Sequence, residues 1–168
     1  DPLTILATVS QNTNTLRLGT AVLALPYRHP YLTAKAAVSV DVLSGGRLML
    51  GLGIGDLFHE FEALELDRRV RGRLSDERVQ IIRRFFTEAN VTFKGEFHDF
   101  KDVTLLPTAT QKPHIPIWLG GHWEDQGFAP GVLRRTGRFA DGFIPTFTTI
   151  EGYKVAQKKI KEQAEAYG

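Results

Sequence analysis

An α/β fold of parallel strands joined by helices is what this sequence predicts, and three observations predict it. Helical and strand-like segments alternate along nearly the whole chain. The strand-like segments are short and largely apolar, as strands in a covered parallel sheet are. Each ends in glycine or another small residue, at the end where parallel α/β folds hold their ligands. A chain of 168 residues suits one domain, and 42% hydrophobic against 24% charged residues can fill a real core.

The elements follow in order. Residues 2–13 read as a helix with Pro2 at its first position and Leu3, Leu6 and Val9 on one side. A strand spans about 16–24. "PYLTAKAAVSVDVLSGG" puts Leu32, Ala36, Val40 and Leu43 on one helical stripe, opened by Pro30 and closed by Gly45 and Gly46. "RLMLGLGIG" is the second strand. "SDERVQIIRRFFTE" is a helix with Ser75 as N-cap, Asp76 and Glu77 in its first turn, and Val79, Ile82 and Phe86 on one face. "VTFKGEFHDF" reads as a hairpin turning at Lys94-Gly95, within an insertion over residues 90–106. "IPIWLGG" and "DGFIPT" are the third and fourth strands, with the short helix "GVLRRTGRFA" between them. The last helix turns Tyr153, Ala156, Ile160 and Ala164 inward and its lysines outward.

An open doubly wound sheet and a closed (βα)8 barrel both accommodate this order. No helix follows a G-x-G-x-x-G with an acid about 20 residues on, which weakens the dinucleotide-binding alternative. A complete barrel needs roughly 250 residues, so four strands make about half of one, in a single partial domain over residues 1–168. The opening Asp1 at a helix start reads as mid-domain. Four strands alone would expose two long apolar edges, so either a larger protein or a dimer covering those edges is expected.

Composition excludes several classes. A net charge of +2, spread along the chain, gives no reason to expect nucleic acid or an anionic membrane as partner. With no cysteine there is no disulfide, thiolate metal site or cysteine nucleophile. No apolar run reaches the roughly 18 residues of a membrane span, and no signal peptide is visible; a cytoplasmic location is expected.

The candidate chemistry lies at the strand ends: Gly19-Thr20-Ala21, then Gly51, Gly53 and Gly55, then Gly120-Gly121, then Pro145-Thr146. Small residues let a ligand approach the backbone, and free N–H groups can hold an anion. Any one of these glycines equally makes a tight turn; recurrence on successive strands favours the ligand. Arg71 and Arg73 stand before the helix at Ser75, where an arginine meets a phosphate or is simply solvated. Among the histidines, His29, His59, His98 and His114 form no ligand spacing, and His114 between prolines reads as structural. His122 follows the double glycine and can face a ligand. Trp118 reads as core packing. No G-x-S-x-G, Walker loop or paired carboxylates appear, and no reaction is named by these residues alone.

Together, "LRLGTAVLALPYRHPYLTAKAAVSVDVLSGGRLMLGLGIG", "EFEALELDRRVRGRLSDE", "HIPIWLGG" and "RTGRFADGFIP" resemble the bacterial luciferase-like monooxygenases, in order and spacing over nearly the whole chain. The resemblance implies a (βα)8 barrel of which this chain carries strands three to six. It implies an oxidoreductase that uses reduced FMN and oxygen on a small organic substrate, or a deazaflavin for hydride transfer. A non-catalytic flavin-binding protein is the alternative. It implies a non-proline cis peptide at Ala21-Val22, against which the flavin ring packs beside Gly19 and Thr20. It places the cofactor phosphate near Gly120, Gly121 and His122 and on Arg73, with Arg71 as the fallback. Some relatives carry a phosphate-binding arginine in the loop of Gly53, Ile54 and Gly55; Ile54 stands there here, which points to a deazaflavin or to another anchor. A homodimer and a partner flavin reductase are further expectations. No catalytic acid or base is assigned to this stretch, and no metal.

Overall fold

The computed structural model describes residues 1–124 and 127–167. Helix α1 (Pro2–Gln11) is capped by Asp1, whose carboxylate accepts from the N–H groups of Leu3 and Thr4. Two strand segments follow, β1 (Leu18–Gly19) and β2 (Leu23–Ala24), both parallel to β3 (Leu48–Gly53) along the same edge. Helix α2 (Pro30–Leu43) connects them. Beyond β3 lies β6 (Ile117–Glu124), and beyond β6 lies β8 (Gly142–Thr146), each parallel to its neighbour. The parallel strands thus stand side by side in chain order. A two-residue strand β7 (Gly127–Phe128) turns back antiparallel onto the end of β6. The sheet is therefore mixed and open, with no closed barrel among the described residues.

Strand side chains alternate between two environments. Leu18, Leu48, Leu50, Leu52, Ile117 and Leu119 are buried against helices α1, α2 and α4 (Arg71–Thr87) in the main core. The opposite face carries Gly51, Gly53, Trp118, Gly120 and Gly142. Glycine is needed at Gly142 because the Trp118 indole lies over it; a Cβ there would be 2.5 Å from the ring. Trp118 is thus packing, as its sequence context indicates. A second, smaller core joins α5 (Pro130–Phe139) and α6 (Ile150–Tyr167) through Val132, Leu133, Phe143 and Ala156. Among the described residues no helix is long and apolar enough to cross a membrane.

Several elements differ from expectation. The first strand is not continuous over 16–24 but breaks at Thr20–Val22. In α2 the buried residues include Thr33, Ala34, Ala37, Val38, Val40 and Asp41, and Ala36 packs partly against the core, so of the expected stripe Val40 and Ala36 face inward while Leu32 and Leu43 are exposed. Asp41 explains this rotation: its carboxylate accepts from the N–H groups of Thr110 and Gln111 and from the Gln111 side chain, fastening the loop before β6. Helix α4 begins four residues before Ser75, so Ser75 is no cap; it is fully buried, and its hydroxyl has no partner. Val79, Ile82 and Phe86 do share the buried face. In the last helix Ala156 is buried but Ala164 is exposed.

The hairpin β4 (Asn90–Lys94) and β5 (Asp99–Thr104) forms its own two-stranded sheet. Its turn runs over residues 95–98, closed by Gly95 N–H donating to His98 O. Buried Glu77 of α4 grips this turn, accepting from Glu96 N–H, Phe97 N–H and His98 Nδ1 at 2.7–3.1 Å. Burial pushes the Glu77 carboxyl up, but these hydrogen bonds outweigh it and bring it below the usual carboxylate range.

Candidate functional site

The strand ends converge on Val22. Between Gly19 and Leu23 the first strand advances four residues while its partner advances three, from Met49 to Leu52. One extra residue is therefore accommodated at Thr20–Val22, a β-bulge. The Ala21-Val22 peptide within it is cis, at the position the family resemblance implies. Thr20 is buried and its hydroxyl donates to Gly51 O at 2.6 Å. The Thr20 carbonyl lies against Gly51 so closely that no Cβ fits at residue 51.

Val22 then lies over the next two strands. A Cβ at Gly53 would sit 2.6 Å from Val22 Cγ2, and one at Gly120 would sit 2.8 Å from Val22 Cγ1. These two glycines exist to seat a valine of the same chain. The other face of Val22 is open, with 43% of the residue exposed. A low aliphatic shelf results at the C-terminal ends of β3 and β6, flanked by exposed Gly19 and Ala21. Gly121 points the other way: a Cβ there would meet the Phe143 ring at 2.6 Å.

Farther round the rim, His122 is exposed and meets Phe147 edge-on, with ring centroids 5.0 Å apart. Thr146 bonds back to Gly121 O at 3.2 Å. On the other side of the shelf, the chain leaves β3 through Ile54 and Gly55, the latter at φ +71°, where glycine is favoured.

The two arginines part company. Arg73 is turned to the hairpin, paired with Glu96 and placed over the Phe97 ring at 5.7 Å. Arg71 is the one directed at the loop after β3: its Nη1 lies 3.7 Å from Asp56 Oδ1 and is buried without a hydrogen-bond partner. The family resemblance put Arg73 ahead of Arg71; with α4 already begun at Arg71, the two residues turn to different sides. Sequence reasoning also missed Tyr27, whose buried hydroxyl lies beside Glu60 and abuts Gly55. Burial, with nearby Glu60, pushes the Tyr27 phenol up to about 12, so it remains a donor at neutral pH. The only cue in the sequence was its place between Pro26 and Pro30. His114 is structural, bonded to its neighbour Ile115 O at 2.9 Å. Among the described residues no group of acidic and histidine side chains could hold a metal.

Parallel strands backed by helices, with a shaped rim at their C-terminal ends, define an α/β protein of the type that binds ligands at strand ends. The chain belongs to the luciferase-like monooxygenase family, whose model matches residues 1–168. It is 30% identical over 159 residues to the FMNH2-dependent dimethylsulfone monooxygenase of Pseudomonas putida, a match covering 93% of this chain and 42% of that protein. It is 31% identical over 171 residues to the F420-dependent glucose-6-phosphate dehydrogenase of Amycolatopsis mediterranei, covering 94% and 47%. The crystal structure of monooxygenase RslO1 from Streptomyces bottropensis superposes with a TM-score of 0.88 at 29% identity, over all of this chain and 50% of that one. The chain therefore spans about half the length of the relatives it matches.

Proposed function

We propose that this chain carries the ring bed and phosphate end of the cofactor site in a flavin- or deazaflavin-dependent oxidoreductase acting on a small organic molecule. The observation that carries this is the Val22 shelf, a half-exposed aliphatic side chain set on Gly53 and Gly120 beside the bulge. A planar tricyclic ring needs such a surface. Gly19, Thr20, Ala21 and Val22 form the bed. Gly53, Ile54, Gly120, Gly121 and His122 border it, and Arg71, rather than Arg73, faces its phosphate side.

When bound, the reduced ring supplies either oxygen chemistry or hydride transfer. The protein's part is to support one face of that ring, hold its anionic tail and keep the substrate against it. The relatives named above use FMNH2 or F420, so both cofactors belong to the reading. The four parallel strands correspond, in this reading, to strands three to six of a (βα)8 barrel. A homodimer, a flavin reductase as donor and a cytoplasmic location are proposed with it.

Titration of the protein with FMN and with the deazaflavin, followed by fluorescence quenching, tests the bed. Saturable quenching by one of them is expected, and Val22→Asp should abolish it. Aerobic incubation with reduced FMN and candidate substrates then separates an oxygenated product from binding without turnover. Failure to bind either cofactor would overturn the reading.

A further inference from the structure

The chain that carries Val22 is fastened on its far side from α4. After the two residues of β2 the backbone makes the 3-10 turn Leu25–Tyr27 and enters α2 at Pro30. That turn closes itself poorly. Pro26 has no N–H to give, and the bond from Arg28 N–H to Leu25 O is long, at 3.5 Å. Leu25 is buried in the main core, which holds its side chain but not the direction of its carbonyl. Arg78 of α4 supplies what the turn lacks: its Nη1 donates to Leu25 O and to Arg28 O, both at 2.9 Å. One nitrogen thus ties the first carbonyl of the turn to the residue that ends it. The guanidinium forgoes other bonds to do so. Its Nε is shielded from water without a partner, and burial pulls the group below its ordinary titration range, with Glu77 opposing. The Glu77 oxygens serve Glu96, Phe97 and His98 of the hairpin instead.

We propose that Arg78 is a positioning residue for the ring bed: it holds the turn after β2 so that Val22 stays seated over Gly53 and Gly120. This rests on the cofactor reading above and adds a residue that acts through Val22. Val22 stands between two short anchors. On one side is the bulge, with the Thr20 hydroxyl on Gly51 O. On the other, β2 is in register with β3 only at Leu23 with Leu52 and Ala24 with Gly53. A ladder of two residues tilts easily, and Val22 at its start tilts with it. The contacts farther along act on other parts of the chain: Arg28 pairs with Asp1, and His29 Nδ1 accepts from Tyr31 N–H to cap α2. Neither fixes Leu25 O. An arginine suits the task because the two protons of Nη1 diverge at a fixed angle in the guanidinium plane, so two carbonyls are held in one mutual orientation. A lysine nitrogen also reaches two acceptors, with less geometric control.

A residue that acts through the bed affects FMN and riboflavin alike, since riboflavin has the ring without the phosphate. Arg78→Met keeps an aliphatic stem and removes the donors. Fluorescence titration should show it binding both flavins about tenfold more weakly, with most of the loss recovered in Arg78→Lys. In a Val22→Ala background the same change should weaken binding by less than about twofold, because the route through Val22 is already cut. Unchanged affinity in folded Arg78→Met, a loss confined to FMN, no recovery with lysine, or the full loss in the Val22→Ala background would each overturn the positioning role, while wild-type binding keeps the ring bed standing. Where Arg78→Met does not fold, wild type carries the test: the Arg78 Nη1 proton resonances should shift and exchange more slowly on saturation with riboflavin, and no change overturns the role. Should neither flavin bind wild type, the ring reading fails, and the Val22 methyl resonances still read Arg78. They should shift in Arg78→Met or, where that does not fold, in Arg78→Lys, while those of Val155 in α6 stay. Unmoved Val22 methyls, or equal shifts at both valines, overturn the role.

Discussion

Replacing Gly53 by alanine tests whether Val22 rests on the glycines. The new methyl would sit 2.6 Å from Val22 Cγ2, where carbon atoms rest at about 3.5–4.0 Å. Val22 must move by about 1 Å, or the bulge must shift with it. Overpacking of this kind costs about 1–3 kcal/mol. Val22→Ala alone removes methyls from a side chain already partly in water, a loss of about 1 kcal/mol. In the double variant the alanine at 53 meets no branched side chain. Its destabilisation should therefore fall short of the sum of the singles by about 1–2 kcal/mol. Urea denaturation reads this as a shift in midpoint at constant m-value. Gly131→Ala is the control: nothing lies within 4 Å of its Cβ position in α5, and a gain of about 0.5–1 kcal/mol is expected there. Additivity of Gly53→Ala and Val22→Ala within about 0.5 kcal/mol would refute the shelf.

Further outcomes follow from other contacts. Glu77→Gln should destabilise by about 3 kcal/mol at neutral pH. Because the folded-state carboxyl titrates below its ordinary value, its contribution is fully present above about pH 4.3 and lost as pH falls through the lower folded value; acid titration of the variant should lack that component. Asp41→Ala strands the N–H groups of Thr110 and Gln111 and leaves the Gln111 amide only its bond to Leu48 O, and a loss of about 2–4 kcal/mol is expected by calorimetry. Ser75→Ala removes a buried hydroxyl without a partner from mid-helix and should raise stability by about 0.5–1.5 kcal/mol. Arg73→Ala breaks an exposed pair with Glu96 and should change stability by at most about 1 kcal/mol and leave cofactor affinity unaltered.

The alternation of helix and parallel strand was legible in apolar runs ending in glycine, but that pattern fits an open doubly wound sheet and a barrel alike. That "LMLGLG" neighbours "IWLGG" was implied by the family resemblance, and the two do pair in parallel. What sequence could not convey was phase. Leu32 and Leu43 fit a helical stripe as well as Thr33, Ala37 and Asp41 do, and only the bonds of Asp41 to Thr110 and Gln111 decide which side turns in. Ser75 has the residue type of a cap but sits where α4 is already formed, because Asp67 and the turn before Arg71 start the helix earlier. For the site, the small residues of the rim were visible and their reason was not. Gly53 and Gly120 looked like room for a ligand; they are occupied by Val22. Beyond its place between Pro26 and Pro30, Tyr27 carried no signal, since its surroundings depend on Gly55 arriving beside it from the loop after β3.

Leu18 and Leu23 are both buried in the main core, although five residues apart. In an unbroken strand an odd separation sends two side chains to opposite faces. The surplus residue between Gly19 and Leu23 restores agreement, so this stretch counts residues more strictly than it selects their identity. Exchanging Ala21 for serine would leave the count intact. Deleting Ala21 would set Leu23 four residues from Leu18, still opposite Leu52 and facing the core, but would erase the bulge that carries Val22 over Gly53 and Gly120. A one-residue deletion here should therefore spare the core and cost the strand end its Val22 shelf.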